Sequence, residues 1–317
     1  MTIPEERDAP PVFHAGETDV QRRAGVAERT APRGMRFIRP LMPDEHRAFF
    51  AQLPFVNLGL TDKEGQPWAT LRAGAPGFVS SPDPATLVIE AVAPAGEEDG
   101  LIFGPGTKVG VLGIELPTRR RNRMNGTLVE ATPGRLVIRV DQSFGNCPQY
   151  IHARAPCLLP PRGRPPNGTP RRDVRLGPED TALIAGADTF FIASRARTLA
   201  GDPRAGLDVS HRGGPPGFVR VVAPDALVFP DYRGNNFFNT LGNIAEDDRV
   251  GLQFLDFHRG SGLSLAGRAR IVWDQERLAC FHAARRLVEI TVERVIWAEN
   301  VIGFAFDLVE RWDRYVP

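Results

Sequence analysis

Cysteine is scarce in this chain: Cys147, Cys157 and Cys280 are the only three among 317 residues. None stands in a Cys-x-x-Cys pair. That excludes a zinc ribbon or disulfide scaffold and fits a reducing, cytoplasmic setting. The six histidines, at 14, 46, 152, 211, 258 and 282, show no His-x-x-x-His spacing, so no metal site is expected. An excess of charge of either sign is also missing. Lys and Arg total 39 against 38 Asp and Glu, a net charge of +1, which argues against nucleic acid or an acidic membrane as partner. No apolar run approaches a membrane span, and Met1-Thr-Ile-Pro-Glu-Glu-Arg-Asp8 lacks a signal-peptide core. The Asn-Gly-Thr sequons at Asn125 and Asn167 are then chance matches. There is no Gly-x-Ser-x-Gly elbow and no Rossmann fingerprint. Gly104-Pro-Gly-Thr-Lys108 lacks the Walker spacing and reads as a turn.

Breakers, by contrast, are plentiful. The 29 Pro and 32 Gly disfavour an all-helical fold. Thr18–Arg29 predicts a short helix capped by Thr18 or Asp19, and Pro40–Gln52 predicts a second, with Asp44 and Glu45 in its first turn. From Phe55 the pattern changes to short strands: Phe55–Thr61, the turn Asp62–Gly65, Gln66–Arg72, then Leu87–Ala91, Lys108–Ile114, Arg123–Ala131 and Arg135–Val140. Seven prolines and five arginines between Pro156 and Glu179 read as an extended connection. The expected division is 1–49 helical extension, 50–155 first barrel, 156–180 Pro/Arg-rich linker and 181–317 second barrel.

The second half repeats the first. Arg72-Ala-Gly-Ala-Pro-Gly-Phe-Val79 matches Arg212-Gly-Gly-Pro-Pro-Gly-Phe-Val219 at six of eight positions. Lys108-Val-Gly-Val111 matches Arg249-Val-Gly-Leu252, Gly126 matches Gly267, and Arg135-Leu-Val137 matches Arg286-Leu-Val288, all in the same order. Trp273–Ala284, which looks helical, absorbs the extra residues. Val288–Val295 and Gly303–Val309 are expected to pair and close the second barrel. Trp297 is then either an interface residue or a plain core aromatic.

The copies differ in one loop. In the second, Tyr232-Arg-Gly-Asn-Asn-Phe-Phe-Asn239 follows a strand; in the first, Ala93-Pro-Ala-Gly-Glu-Glu-Asp-Gly100 stands there. Arg, Gly and Asn in such loops offer guanidinium forks and backbone N–H groups to a phosphate, or form polar hairpin turns. Glu97, Glu98 and Asp99 would repel a phosphate, so the second copy is expected to hold any anion and the first to support it from across the interface. Arg119-Arg-Arg-Asn-Arg123 reads either as a solvated turn or as an anion-binding rim.

These motifs carry a resemblance. Asp208-Val-Ser-His-Arg-Gly-Gly-Pro-Pro-Gly-Phe-Val219, Arg233-Gly-Asn-Asn236, Asn239-Thr-Leu-Gly-Asn243, Phe144-Gly-Asn-Cys-Pro-Gln-Tyr-Ile151 and Phe13-His-Ala-Gly-Glu17 resemble the pyridoxamine 5'-phosphate oxidase-like split β-barrel flavoproteins. The likeness is to the branch with tandem barrels predicted to bind flavin nucleotides. It implies a mainly β fold of two split β-barrels of the FMN-binding type, with a few helices, packed as an intrachain pseudo-dimer. It implies FMN, rather than FAD, in a groove between barrels, an oxidoreductase chemistry carried by the flavin, and an unidentified small-molecule redox partner. The alternatives are a non-catalytic flavin carrier and a cofactor-less interaction module. The chain would act as a monomeric pseudo-dimer or a homodimer. The implied cofactor contacts are Ser210, His211, Arg212, Gly213, Gly214, Gly217, Phe218 and Arg220; Tyr232, Arg233, Gly234, Asn235, Asn236, Asn239 and Asn243; and Asn146, Cys147 and Gln149. The family's usual Arg…Lys pair is absent, since no Lys lies between 207 and 244. No catalytic acid or base is named.

Overall fold

The computed structural model describes residues 11–94, 96–98, 100–157, 169–199 and 201–315. Residues 158–168 of the Pro/Arg-rich connection and Asp99 lie outside the described residues.

The first strand run forms β1 (Phe55–Thr61), β2 (Pro67–Ala73), β3 (Val79–Ser80), β4 (Thr86–Ile89), β5 (Lys108–Glu115), β6 (Arg120–Thr132) and β7 (Arg135–Gly145). They build one antiparallel sheet in the order β2-β1-β5-β6-β7-β4-β3. After β8 (Ala153–Cys157) and β9 (Arg171–Asp173) come β10 (Thr189–Arg195), β11 (Leu207–Gly213), β12 (Arg220–Ala223), β13 (Ala226–Asp231), β14 (Arg249–Leu255), β15 (Gly262–Val272) and β16 (Arg286–Ala298). Their order, β11-β10-β14-β15-β16-β13-β12, is that of the first sheet strand for strand. The repeat in the sequence is thus a repeat in topology. Both sheets are open: no pairing closes either one into a barrel among the described residues.

The hairpin between β1 and β2 shows how local chemistry sets the register. The Asp62 carboxylate accepts the backbone N–H groups of Glu64 (3.1 Å) and Gln66 (2.9 Å) and the indole N–H of Trp68 (3.1 Å). Gly65 takes the left-handed φ of 77° that the turn requires.

β1 is buried along its whole length, against the alternation expected of a half-exposed strand. Val56, Leu58 and Leu60 enter the first core, while Phe55 enters a separate cluster between the repeats. β10 behaves alike: Phe190 and Ile192 face the second core, and Phe191 and Ala193 the shared cluster. The two sheets therefore pack face to face through β2-β1-β5 and β11-β10-β14. Glycines let the backbones touch. A Cβ on Gly110 would come within 2.6 Å of Asp208 Cα, and one on Gly251 within 2.4 Å of the Pro67 carbonyl. Gly110 and Gly251 are equivalent positions of the two repeats, so the contact has a local two-fold character.

Helices flank this core: α1 (Ala15–Arg23), α2 (Ala27–Phe37), α3 (Asp44–Ala51), α4 (Pro178–Gly186), α5 (Asn239–Glu246) and α6 (Gln275–Leu278). Several expectations are corrected. The first helix begins at Ala15, where Glu17 accepts the His14 N–H at 2.9 Å, and stops at Arg23 because Gly25 turns left-handed at φ 68°. Only Gln275–Leu278 of the 273–284 stretch is helical. The strand β17 (Ala305–Glu310) does not pair with β16; it pairs with β8, so the C-terminal strand ties back to the end of the first repeat. β9 is the segment that adds to β16. Trp297 is half-buried at the edge of the second core, not in the interface cluster.

Candidate functional site

The cleft that gathers the sequence motifs lies between β11, β13 and the N-terminus of α5 on one side and β6 with the loop after β7 on the other. Of the expected contacts, Ser210, His211, Arg212, Gly213, Phe218, Tyr232, Arg233, Gly234, Asn235, Asn236, Asn239, Asn146 and Cys147 line it. Gly214, Gly217, Arg220, Asn243 and Gln149 do not. Gly214 packs on Phe218, and Gly217 supplies a turn at φ 83°. Arg220 donates to the Cys280 carbonyl and lies 3.9 Å over the Phe281 ring. Asn243 is buried behind the cleft, donating to Ser194 Oγ (3.1 Å) and Asp208 Oδ2 (2.8 Å).

Two contributors come from the basic run 119–123. On β6, Arg121 and Arg123 are two apart and share one face of the strand, which is turned into the cleft. The solvated-turn reading holds only for the tip. Arg123 is buried; its Nη2 donates to Ser210 Oγ and its Nη1 lies 3.6 Å from Asp208 Oδ1. Burial holds the Arg123 guanidinium below its ordinary pKa and pushes the Asp208 carboxyl up, the pair partly compensating each other. Thr240, in the first turn of α5, donates to the same Ser210 Oγ at 2.8 Å. Arg121 reaches His211 Nδ1 at 3.1 Å, and burial first, then Arg123 and Arg212 nearby, bring its pKa down to about 10. A guanidinium can only donate, so His211 Nδ1 accepts and the ring carries its proton on Nε2. Burial, with Arg121 next, keeps that ring neutral, its pKa well below the usual range.

Arg212 is partly engaged. Its Nη1 donates to Asp231 Oδ1 at 2.8 Å, while Arg286 clamps Asp231 Oδ2 through Nε (2.9 Å) and Nη2 (2.7 Å). Two arginines on one buried aspartate leave positive charge in excess. Arg121 and Arg233 have no carboxylate partner within 4 Å among the described residues. Several buried donors are unpaired there too: Arg121 Nε, Arg123 Nε, Arg212 Nε and His211 Nε2. Asn236 (φ 66°) and Phe238 (φ 59°) are left-handed without being glycine, and this kinked backbone leads into α5. The helix thus presents its free N–H groups and the positive end of its dipole to the cleft.

The equivalent place in the first repeat is built differently. Thr70 and Arg72 stand where Ser210 and Arg212 stand in the second repeat. Both bind Glu97: Thr70 Oγ1 donates to Oε1 at 2.8 Å, and Arg72 Nη1 and Nη2 donate to Oε1 (2.6 Å) and Oε2 (3.1 Å). Glu97 therefore does more than repel an anion: its carboxylate occupies the anion position. In register, β15 carries Gly262 and Ser264 where β6 carries Arg121 and Arg123, so the cross-repeat arginines are missing there as well.

All three tyrosines of the chain meet at the mouth of the cleft. Tyr150 is left-handed at φ 67° and donates to the Arg233 carbonyl at 2.7 Å. A Cβ on Gly213 would lie 2.0 Å from the Tyr150 carbonyl, which explains a glycine at that point. Burial, then Asp231, pushes the Tyr150 phenol up to about 12; burial, then Tyr150, does the same to Tyr232. Behind the cleft, Asn239 donates to the buried Glu17, whose pKa burial raises to about 7.

Among the described residues no group of three His, Cys, Asp or Glu is placed to hold a metal ion, and no helix is long and apolar enough to cross a membrane. Comparison with known proteins adds the following. No curated protein matches the chain. Among solved structures, it is similar to HupZ from Group A Streptococcus (15% identity, 38% of this chain, 91% of that one, TM-score 0.30). It is likewise similar to a candidate pyridoxamine 5'-phosphate oxidase from Lactobacillus delbrueckii (17%, 38% and 93%, TM-score 0.31). A third is a Clostridium acetobutylicum protein related to general stress protein 26 (10%, 41% and 92%, TM-score 0.27). The family model for pyridoxamine 5'-phosphate oxidase matches residues 176–312, the span that holds β10–β16 and α5. That span, the second repeat, is thus similar to the pyridoxamine 5'-phosphate oxidase family.

Proposed function

We propose that the cleft binds the phosphate of FMN and that the protein is a flavin-dependent oxidoreductase. One observation carries this reading: N–H donors from both repeats converge on one place, unpaired and largely buried, with the α5 N-terminus behind them. Unpaired donors outnumber the one unpaired acceptor that lines the cleft, Asn146 Oδ1; such an excess in a low-dielectric pocket favours an anion, and planar guanidinium forks suit a phosphate. Ser210, Arg123, Arg121, His211 and Arg233 would hold it, with Arg212 bridging to Asp231. The cavity of about 120 Å³ is below the roughly 300–1,000 Å³ of an ordinary ligand pocket. It takes a phosphate-sized group and leaves the flavin ring at the mouth, beside Tyr150 and Tyr232. FMN bound there supplies hydride or single-electron transfer; the protein supplies position and positive field.

His211, Tyr150 and Tyr232, which line the cleft, are not poised for proton transfer near neutrality. His211 titrates well below its ordinary range, and Tyr150 and Tyr232 well above theirs. This favours, as second reading, a flavin carrier without turnover. The three cysteines are free, which suits a reducing compartment such as the cytoplasm. The test is mass spectrometry of the small molecule released from natively purified protein, followed by reduction with NADH or NADPH and reoxidation by an acceptor. One FMN per chain, reduced and reoxidised in cycles, is the expected result. FMN that is bound but never turned over selects the carrier. A protein that neither releases nor takes up FMN overturns both.

A further inference from the structure

The tyrosine cluster at the mouth is asymmetric in how it is held. Tyr150 is fixed three ways: by its left-handed backbone, by the close approach of Gly213 to its carbonyl, and by its hydroxyl bond to Arg233. Tyr232 is carried directly by the end of β13. Tyr315 is not anchored in this way. It belongs to the C-terminal segment after β17, which has no regular structure, and its hydroxyl is buried without a hydrogen-bond partner. Its ring nevertheless stacks on Tyr150, with centroids 5.6 Å apart and planes inclined by 18°, and leans on Tyr232 at 5.2 Å. The segment is held instead by Arg311 on Asp188 (3.1 Å) and by the Trp312 N–H on His152 Nδ1 (2.9 Å).

We infer that Tyr150 and Tyr232 form a stacking subsite for the planar heteroaromatic ring of a phosphate ester, and that Tyr315 occupies this subsite until such a ring displaces it. The inference rests on the proposed phosphate-binding role of the cleft and adds the ring end of the ligand. An aromatic face that is fixed, next to an anion site too small for a ring, selects ligands that carry both groups. Tyr315 covers that face with a ring of its own, and the unpaired hydroxyl makes its departure inexpensive.

Because the chain holds only three tyrosines, full-length protein labelled with 3-fluorotyrosine gives three fluorine resonances, all from this cluster. They are assigned with Tyr→Phe variants. The probes are FMN, pyridoxal 5'-phosphate and inorganic phosphate. A ring phosphate should move the Tyr315 resonance towards that of an exposed tyrosine, whereas inorganic phosphate should leave it in place. Tyr315→Ala should bind FMN about three- to tenfold more tightly and keep the wild-type affinity for inorganic phosphate, and Tyr150→Ala should bind FMN more weakly by a similar factor. If pyridoxal 5'-phosphate displaces Tyr315 and FMN does not bind, the subsite stands and the flavin reading falls. If FMN binds with the Tyr315 resonance unmoved, or if Tyr315→Ala weakens it, the flavin reading stands and the subsite is wrong. If no ring phosphate moves Tyr315, the subsite is wrong whatever else binds.

Discussion

The two repeats share one strand order and one strand-borne pair of anion-seeking side chains, yet they end in opposite states. In the first, Thr70 and Arg72 close on Glu97 from the same repeat. In the second, Ser210 and Arg212 open onto a cleft to which the other repeat adds Arg121 and Arg123. A duplicated scaffold can retire one site by supplying its own carboxylate, and strengthen the other by sending arginines across the interface. The first site is closed within its own repeat, whereas the second needs Arg121 and Arg123 from the other, so the cleft belongs to the pair and not to either sheet.

The largest effect should come from Arg123→Met. Arg123 stands between Ser210 and Asp208 in a buried position; its removal takes away the ion-pair partner of Asp208 and leaves it the Asn243 hydrogen bond, a change worth about 3–5 kcal/mol of stability. Urea unfolding measures it, and Ser264→Ala at the equivalent place in the second repeat should change stability by under about 1 kcal/mol. Next in size is ligand affinity. Arg233→Ala or Arg212→Ala should weaken FMN binding about 10- to 150-fold, the loss of one charge-assisted donor at roughly 1.5–3 kcal/mol. Arg72→Ala should leave FMN affinity within about threefold while lowering stability, because it strands Glu97. Equal weakening by all three would erase the distinction between the repeats.

The interface itself should respond symmetrically. Gly110→Ala and Gly251→Ala each drive a Cβ into opposing backbone that cannot rotate away, and each should cost about 1–3 kcal/mol of stability. Similar costs in thermal unfolding would confirm the local two-fold contact; a loss from one alone would break it. The smallest effect is a pH dependence confined to the second repeat's side. Glu17 has a folded pKa of about 7 against an ordinary 4.5, so the folded state binds its proton more tightly than the unfolded one. Its contribution is fully present below about pH 4.5, declines through the interval up to pH 7, and is gone above it, about 1–3 kcal/mol in all. Glu17→Gln should remove that part of the slope when urea midpoints at pH 5 and pH 8 are compared with wild type.

Much of this was legible from sequence for a physical reason: strands carry their burial pattern and turns their glycines. The run Arg212–Val219 and its copy at Arg72–Val79 predict equivalent hairpins, and the structure places them at equivalent strands of two like-ordered sheets. What sequence could not supply was partnership at a distance. Gly303–Val309 has strand composition, but nothing local says that its edge would pair with β8 and not β16. Arg121 and Arg123 alternate with Asn122, which marks one face of a strand; which face meets the other repeat depends on how the sheets pack. In sequence Glu97 is charge alone, and the loop that folds it back onto Arg72 has no sequence signature. The first helix starts earlier than Thr18 and Asp19, which resemble caps, because its start is set by Glu17 reaching back to His14.

The central claim is that one of two equivalent anion positions is filled by the chain's own carboxylate and the other is a ligand site. The most direct test is the stoichiometry of FMN binding, measured by calorimetric titration of cofactor-stripped full-length protein and of its Glu97→Gln variant. The account predicts one FMN per chain in both, because Glu97→Gln frees Arg72 but brings no cross-repeat arginines to the first position. Two FMN per chain in the wild type, or none, would contradict it.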